Sequence, residues 1–187
     1  MIIVLSMFSI VSNFVIYASL ILYYTSVIRG ICKYMNLPFM GIITNIYCDG
    51  IYDILHLGHM NAFKQALSVV KGARLFVGVI NDKTAMTYKR APIMHSEERE
   101  NTVRACMFVH AVIKDAPLIA SKEFIEKHNI HIYAIGEEYK DDEKYYIVPR
   151  DMGIIRYTKR SKGVSTSDVI RRIIKLGPDV LKRRNKA

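Results

Sequence analysis

The stretch CDGIYDILHLGH, residues 48–59, decides the fold of this chain. The apolar run that leads into it, Ile42 to Cys48, predicts a buried strand. Gly50 ends that strand, and a helical pattern begins near Gly58. A strand, a tight turn and a helix start in this order direct free backbone N–H groups and the positive end of a helix toward one point. Such a turn favours an anion, of which phosphate is the commonest example.

Two histidines in this stretch, His56 and His59, stand three residues apart. Ring nitrogens at a phosphate-binding turn can donate hydrogen bonds to charge that develops during a reaction, so phosphate chemistry is one interpretation. A zinc pair is another, although the spacing of the nearby cysteines and histidines indicates no third ligand. A third interpretation is a pair of histidines at a helix start without any chemistry.

Two signatures together carry a family resemblance. The pattern Asp49-Gly50-x-Tyr52-Asp53-x-x-His56-x-Gly58-His59 resembles the signature of the cytidylyltransferases of phospholipid synthesis. The stretch RSKGVSTSD, residues 160–168, resembles that family's other signature, R-T-x-G-I/V-S-T-T/S. Two signatures in the family's order, about a hundred residues apart, are more specific than either one alone. The resemblance covers roughly residues 42–176.

The resemblance implies an α/β, Rossmann-like nucleotidyltransferase fold with a five-stranded, mainly parallel sheet and helices on both faces. The residues support this independently, because apolar runs typical of buried strands alternate with helical patterns along the chain. In such a sheet ligands bind at the carboxyl ends of the strands, where the strand order reverses. The implied reaction is CTP + phosphoethanolamine → CDP-ethanolamine + pyrophosphate, which makes the chain an enzyme.

The resemblance also implies site residues. His56 and His59 would bind the CTP phosphates, Lys89 would bridge the α-phosphate and the attacking phosphate, and Arg160 would hold the β,γ end. These four are the expected catalytic residues. The expected nucleotide-binding residues are Gly50, Ile51, Tyr52, Asp53, Gly58, Gly163, Ser165, Thr166 and Ser167. No metal site on the protein is predicted, and Mg²⁺ would accompany the triphosphate.

The acceptor is predicted from a few loop residues. Pro92-Ile93-Met94 resembles the ethanolamine branch of the family. Leu118 stands where choline enzymes usually carry Trp and ethanolamine enzymes Tyr. A leucine cannot supply the cation–π attraction, about 0.5–2 kcal/mol per ring, that a quaternary ammonium gains. Glu137 and Tyr146 are the expected contacts of the substrate ammonium. Phosphocholine and glycerol 3-phosphate remain alternative acceptors.

One stretch departs from the family pattern. Residues 107–112 are MFVHAV, where relatives carry R-Y/W-V-D-E-V and use the segment for the nucleotide site and a dimer contact. A homodimer is therefore implied by the resemblance but not by these residues. Two further hypotheses remain: a nucleotidyltransferase for another nucleotide, and a non-catalytic, membrane-tethered nucleotide-binding protein.

The beginning of the chain differs in composition from the remainder. Residues 1–28 carry no charged side chain, and as a helix they would extend about 40 Å, enough for a bilayer. Arg29 and Lys33 follow, which predicts that a cytosolic catalytic domain is anchored by this segment. Alternatively, translation begins at Met35 or Met40. The predicted domains are the apolar segment 1–28, a cytidylyltransferase domain at 41–176 and a basic tail at 177–187.

Charge and cysteine content limit the partners. The 187 residues carry a net charge of +10, and a basic domain prefers anionic partners such as nucleotides or anionic lipid surfaces. No zinc-finger or RNP motif indicates nucleic acid. The three cysteines show no paired spacing, which indicates a reducing compartment. The expected partners are CTP and a small phosphomonoester.

Overall fold

A five-stranded sheet forms the centre of the fold, and every strand pairing found within the described residues is parallel. The computed structural model describes residues 15–27, 43–141, 143–161 and 163–178. The chain divides into two units, Met1–Ile42 and Ile43–Ala187, and each is considered by itself.

The strands are β1 (Asn45–Gly50), β2 (Arg74–Val79), β3 (Ala111–Ile113), β4 (Ile132–Gly136) and β5 (Ile155–Thr158). The helices are α1, described over residues 15–27, α2 (Leu57–Ser68), α3 (Asp82–Ala85), α4 (Ser96–Arg104), α5 (Lys122–Lys127), α6 (Glu143–Asp151) and α7 (Thr166–Leu176). A 3₁₀ turn at Glu137–Tyr139 follows β4.

The strand order, β3-β2-β1-β4-β5, places β1 at the centre. The chain first builds outward from β1 to β3 and then restarts on the other side with β4, so the order reverses between β1 and β4. The prediction of an α/β, mainly parallel sheet with the site at such a reversal is confirmed for the fold. This crevice, at the carboxyl ends of β1 and β4, is where a doubly wound sheet binds its ligands.

The apolar run of β1 packs on both faces of the sheet. Ile46 and Cys48 lie in a cluster with Phe63 of α2, while Tyr47 lies in a second cluster with Tyr133 of β4. Successive side chains of a strand alternate between the two faces. Because a parallel strand is covered on both sides, nearly every residue of the run is apolar.

Helix α4 is shorter than the sequence predicts. Ser96, followed by Glu97 and Glu98, predicts a helix that Ser96 caps and that continues to about Met107. In the structure α4 ends at Arg104, and its N-cap residue is His95 rather than Ser96. The Glu98 carboxylate accepts from the His95 backbone N–H at 2.8 Å and thereby closes the first turn. Met107 follows the helix in a turn, 88% exposed.

The first unit is described only in part. Residues 15–27 are helical, and the other residues of the predicted anchor at 1–28 lie outside the described ranges. No helix in the described part of the chain is long and apolar enough to cross a membrane. Most of the predicted basic tail, residues 179–187, also lies outside the described ranges.

Candidate active site

A cavity of about 730 Å³ lies at the carboxyl ends of β1 and β4. Its volume falls in the range of small-molecule sites, roughly 300–1,000 Å³. Four segments meet there: the first signature, the loop after α3, the end of β4 and the second signature. Its wall includes Asp49, Gly50, Ile51, Tyr52, Asp53, His56, Gly58, His59, Lys89, Arg90, Glu138, Tyr139, Tyr146, Lys159, Arg160, Ser165, Thr166, Ser167 and Arg171.

The turn after β1 has a strained backbone. Tyr52 and Ile54 have φ values of 55° and 47°, in the left-handed region that side chains with a Cβ disfavour, at a cost of roughly 1–3 kcal/mol each. Arg99, whose side chain is fully buried, holds the turn by donating to the carbonyls of Ile51 and Ile80. Its remaining N–H groups bond to Met94 O and to Asp82, so this buried charge is fully paired.

Asp53 ties the same turn to the loop before α4. Its carboxylate, 5% exposed, accepts from Arg90 Nη2 at 2.9 Å and from the backbone N–H groups of Ile93 and Met94 at about 3.0 Å. Burial raises the pKa of Asp53, but these donors outweigh burial and leave the pKa below its usual value. The carboxylate therefore positions the loop that carries Lys89, whereas the sequence predicts a nucleotide contact.

The two histidines share one tautomer. His56 Nδ1 accepts the Gly58 N–H at 3.0 Å, and His59 Nδ1 accepts the His56 N–H at 3.5 Å. Each ring therefore carries its proton on Nε2. The rings stack with centroids 3.9 Å apart, which fixes both in one orientation. His56 is thus the N-cap residue of α2, and the side chain that caps the helix also faces the cavity.

Both histidines are neutral donors at neutral pH. Burial, together with the neighbouring His56 and Lys89 and against the opposing charge of Asp53, lowers the pKa of His59 to about 3. Burial also lowers the pKa of His56, against the charge of Asp168. The expectation that these residues add hydrogen-bond donors therefore applies to neutral imidazoles rather than to imidazolium ions.

The second signature is fixed directly to the first. Thr166 Oγ1 donates to the Asp53 carbonyl at 3.0 Å and lies 3.4 Å from His56 Nε2, where it can accept the ring proton. The Gln65 side chain of α2 makes two bonds to the backbone of Lys159, at 2.8 and 3.0 Å. Residues about 110 positions apart in sequence thus form one rigid wall.

The start of α7 is suited to an anion. The Ser165 side chain accepts the Asp168 N–H at 3.2 Å and donates to the Asp168 carboxylate at 2.6 Å, so Ser165 caps the helix. Among the described residues no acceptor is found for the backbone N–H groups of Thr166 and Ser167, which lie at the positive end of the helix dipole. Arg160 and Arg171 lie beside them in the cavity wall.

The charge of the wall is positive. Among its described residues five are cations and three are acids, and one of those acids, Asp53, is already paired with Arg90. The cations are Lys89, Arg90, Lys159, Arg160 and Arg171. A low-dielectric cleft concentrates such a field and favours a polyanion such as a triphosphate.

Asp49 forms a separate, acidic corner of the cavity. The carboxylate projects from the same face of β1 as Tyr47 and accepts from Tyr133 Oη at 3.0 Å. Burial raises its pKa to about 6, opposed by the Tyr133 hydrogen bond, its own backbone N–H and the charge of Lys89. Tyr139 and Tyr146, with ring centroids 6.4 Å apart, lie in the same wall. A carboxylate with two aromatic rings is suited to an ammonium group.

The family model described as cytidylyltransferase-like matches residues 47–172, more than half of the chain and both signatures. The chain belongs to the cytidylyltransferase-like family. The resemblance stated from the two signatures is thereby confirmed.

Curated relatives of this cytidylyltransferase-like chain carry two different substrate names. The probable choline-phosphate cytidylyltransferase of Schizosaccharomyces pombe is 36% identical over 144 residues, which cover 75% of this chain and 40% of that protein. The ethanolamine-phosphate cytidylyltransferase of Mus musculus is 34% identical over 135 residues, which cover 71% and 33%. This chain therefore spans about 40% of the length of the curated relatives it matches.

A solved structure shares the fold. The crystal structure of the lipopolysaccharide core biosynthesis protein from Thermoplasma volcanium aligns with a TM-score of 0.51 and 22% identity. The alignment covers 66% of this chain and all of that one. At this identity the likeness concerns the fold alone.

The cytidylyltransferase-like domain brings most of the predicted site residues to one cavity. Glu137 and Gly163 are not part of its wall: Glu137 is exposed, and Gly163 adopts a φ of 82° in an open turn. The residue after Glu137, Glu138, lines the cavity instead. None of residues 107–112 lines it, so the stretch that departs from the family pattern does not alter this wall.

Several wall residues are absent from the sequence-based prediction. Asp49 belongs to the first signature. Successive residues of a strand alternate between the two faces of the sheet, so the Asp49 side chain could have been placed on the face opposite to Cys48 and Gly50. Tyr139 lies in the short turn after β4, at the edge of the sheet where ligands bind, and that position was a second usable signal. Lys159 and Arg171 flank the second signature but had no pattern of their own.

No group of three or more His, Cys, Asp or Glu side chains that could hold a metal ion occurs in the described part of the chain. Mg²⁺ keeps several waters and commonly binds through substrate phosphates, so a triphosphate can supply most of its ligands. Mg²⁺ carried with CTP remains a prediction.

Gly58 is required by the tight contact between the two signatures. A Cβ added there would lie 2.8 Å from His56 Cε1, 2.9 Å from His56 Nδ1 and 3.2 Å from the Val164 carbonyl. We expect Gly58→Ala to displace the His56 ring and lower kcat at least about tenfold, since a positioned donor is lost. Turnover and circular dichroism of the purified variant measure the two effects.

The matched control for this variant is Gly72→Ala. Gly72 lies outside the cavity wall and has open space around its Cα, but its φ is 80°. The control therefore lowers stability through backbone strain and leaves kcat unchanged. Equal kcat values for wild type and Gly58→Ala would contradict the steric argument.

Proposed function

We propose that this chain is a cytidylyltransferase that joins CTP and phosphoethanolamine to form CDP-ethanolamine and pyrophosphate. The observation that carries the proposal is the convergence of both signatures, Lys89 and Asp49 on one cavity. Its positive wall is complementary to a triphosphate, and its acidic corner to an amine. The relatives named as cytidylyltransferases of both phosphoamines are consistent with this reaction.

The chemistry requires no general base. A phosphomonoester is largely dianionic at neutral pH because its second pKa is about 6. One of its oxygens attacks the α-phosphorus of CTP, a new P–O bond forms, and the bond to the β-phosphate oxygen breaks to release pyrophosphate. The protein must therefore position the two reactants and stabilise charge on the leaving oxygens.

Different residues would perform the positioning and the charge stabilisation. The neutral Nε2–H groups of His56 and His59 would donate to the CTP phosphates. The start of α7 and Arg160 would hold the β- and γ-phosphates, where charge accumulates as pyrophosphate leaves. Lys89 would lie between the two substrates, because its Nζ bonds to Tyr139 Oη at 3.3 Å and its charge acts on Asp49. Mg²⁺ would neutralise triphosphate charge when bound.

The acidic corner favours a primary amine. An –NH₃⁺ group has three donors, and Asp49 and Glu138 provide carboxylate acceptors in the wall. Leu118 packs in a separate small cluster with Ile80 and Ala116 and supplies no third ring for a quaternary ammonium. Phosphocholine is the second candidate, because relatives named for choline-phosphate match at 34–37% identity.

The test uses the full purified chain with CTP and Mg²⁺. Phosphoethanolamine, phosphocholine and glycerol 3-phosphate are supplied in parallel, with ATP replacing CTP as the nucleotide control. Pyrophosphate release and the mass of the CDP product are measured. We expect turnover with CTP and the highest kcat/KM for phosphoethanolamine. Turnover limited to phosphocholine would overturn the acceptor, and CTP binding without pyrophosphate release would indicate a non-catalytic nucleotide-binding protein.

A further inference from the structure

Tyr133 lies behind the acidic corner rather than in the cavity wall. It is fully buried in β4, and its register partner on β1 is Tyr47. The Tyr133 hydroxyl reaches past the end of that pair to Asp49 Oδ2 at 3.0 Å. Since Asp49 lines the cavity and Tyr133 does not, the tyrosine hydroxyl can act on a ligand only through the carboxylate.

The surroundings of Tyr133 fix its direction. Its ring packs edge to face against Tyr47, with centroids 5.0 Å apart and an interplanar angle of 75°. On the other side it packs against Tyr146, with centroids 6.0 Å apart at the same angle. A ring held between two others has no freedom to turn its hydroxyl away. The hydrogen bond to Asp49 is therefore preorganised by the core.

We propose that Tyr133 is a positioning residue for acceptor binding, whose hydroxyl holds one Asp49 oxygen so that the other faces the ammonium group of the acceptor. This inference rests on the proposed function. It adds to that function a residue that lies outside the cavity and in neither signature. The Tyr133 hydrogen bond is made within the protein and needs no substrate contact to form.

The hydrogen bond also favours the charged carboxylate. Burial raises the pKa of Asp49 to about 6, and the Tyr133 hydroxyl is the largest of the effects that oppose this rise. Without that hydroxyl the pKa would rise further, and a larger fraction of Asp49 would be protonated near neutral pH. The titratable groups that act on Asp49 or respond to its charge are Tyr47, Cys48, Tyr52, Tyr88, Lys89 and Tyr133.

The chain contains its own control for this argument. The hydroxyl of Tyr47 is buried on the same face of the sheet, and no hydrogen-bond partner for it is found among the described residues. Replacing Tyr47 with phenylalanine removes the same atom from a neighbouring ring in the same cluster. Because the Tyr47 hydroxyl is unpaired, its removal is neutral or stabilising. Tyr133→Phe removes a hydroxyl that bonds to a charged group.

The experiment compares wild type, Tyr133→Phe and Tyr47→Phe in the full chain. We expect Tyr133→Phe to raise KM for phosphoethanolamine about tenfold, as for a lost hydrogen bond to a charge, with kcat and KM for CTP within twofold of wild type. The acid limb of kcat/KM should move to higher pH. The acceptor phosphate titrates identically for all three proteins, so the shift reports the protein. Tyr47→Phe should match wild type in every parameter.

A second readout does not depend on turnover. The Asp49 carboxyl is titrated by ¹³C NMR in the three proteins, and its pKa should rise in Tyr133→Phe but not in Tyr47→Phe. An unchanged Asp49 pKa, or equal effects of the two variants on acceptor KM, would overturn the inference. If wild type turns over no acceptor, the proposed function fails. The carboxyl titration then still decides whether Tyr133 controls Asp49.

Discussion

Replacing His59 with alanine should lower kcat at least about 10²-fold. His59 is held by its stack on His56, by the edge of Tyr52 and by the His56 N–H on Nδ1. These contacts aim a preorganised Nε2–H at the cavity, and removing one such donor from a charge-stabilising site typically costs 10²- to 10³-fold. The measurement is steady-state turnover with CTP and saturating acceptor.

Two further variants identify the atom that matters. The amide nitrogen of glutamine superimposes on Nε2 of a histidine, whereas that of asparagine superimposes on Nδ1. Because the structure places the proton on Nε2, His59→Gln should retain more activity than His59→Asn. The reverse order would show that the tautomer, and with it the role of the donor, is wrong.

The protonation state of His59 gives an independent check. With its pKa lowered to about 3, the ring is neutral throughout the neutral range. The profile of kcat/KM against pH reports the free enzyme, so the ratio of wild type to His59→Ala should stay constant from about pH 6 to pH 8. A ratio that falls through pH 6.5 would show that the cationic ring carries the activity.

The fold could be predicted from the sequence because its signals are local. The apolar run of β1 and the glycine at its end lie within a few residues, and they form a strand that ends at Gly50 as predicted. The helical pattern predicted to begin near Gly58 likewise forms α2. The end of α4 was predicted too late because Cys106 and Met107 continue a helical apolar pattern. In the structure Cys106 packs against the core from a turn instead.

Site residues that belong to a single sequence motif were predicted. Contacts between segments that are distant in sequence were missed. His56, Thr166 and Asp53 could be named from signatures, but their mutual hydrogen bonds join residues more than 100 positions apart in sequence. The Asp49–Tyr133 bond joins residues 84 positions apart, and neither residue has a local pattern that indicates the other. The role of Asp53 as an anchor of the Arg90 loop was likewise inaccessible, since it depends on a long-range contact.

Asp49→Asn should change activity and stability in opposite directions. The variant removes the charge proposed to face the acceptor ammonium, and we expect kcat/KM for phosphoethanolamine to fall about 10²-fold or more, as for a buried charge pair that loses one partner. KM for CTP should stay near the wild-type value, because the proposed triphosphate contacts are the two histidines, Arg160 and the start of α7 rather than Asp49.

The stability effect follows from the direction of the pKa shift. Folding raises the pKa of Asp49 from 3.8 to about 6, so ionised Asp49 destabilises the folded state above that pKa. At 1.36 kcal/mol per unit, the upper bound is about 3 kcal/mol at neutral pH. Asparagine carries no charge, so the variant should be more stable than wild type at pH 7. The difference should decrease as pH falls from about 6 toward 4, where Asp49 becomes protonated.

Asp53→Asn is the matched control, because it changes the same group in the same turn with the opposite sign. The pKa of Asp53 lies below its usual value, so its ionised form stabilises the fold at neutral pH and loses that contribution only in acid. The free energy of unfolding, measured with urea at pH 7, should therefore be higher for Asp49→Asn than for wild type and lower for Asp53→Asn. A destabilised Asp49→Asn would contradict the view that Asp49 is kept charged at the expense of stability. A buried charge that lowers stability is not explained by packing of the core. The ranking therefore also tests whether Asp49 is present to bind a ligand.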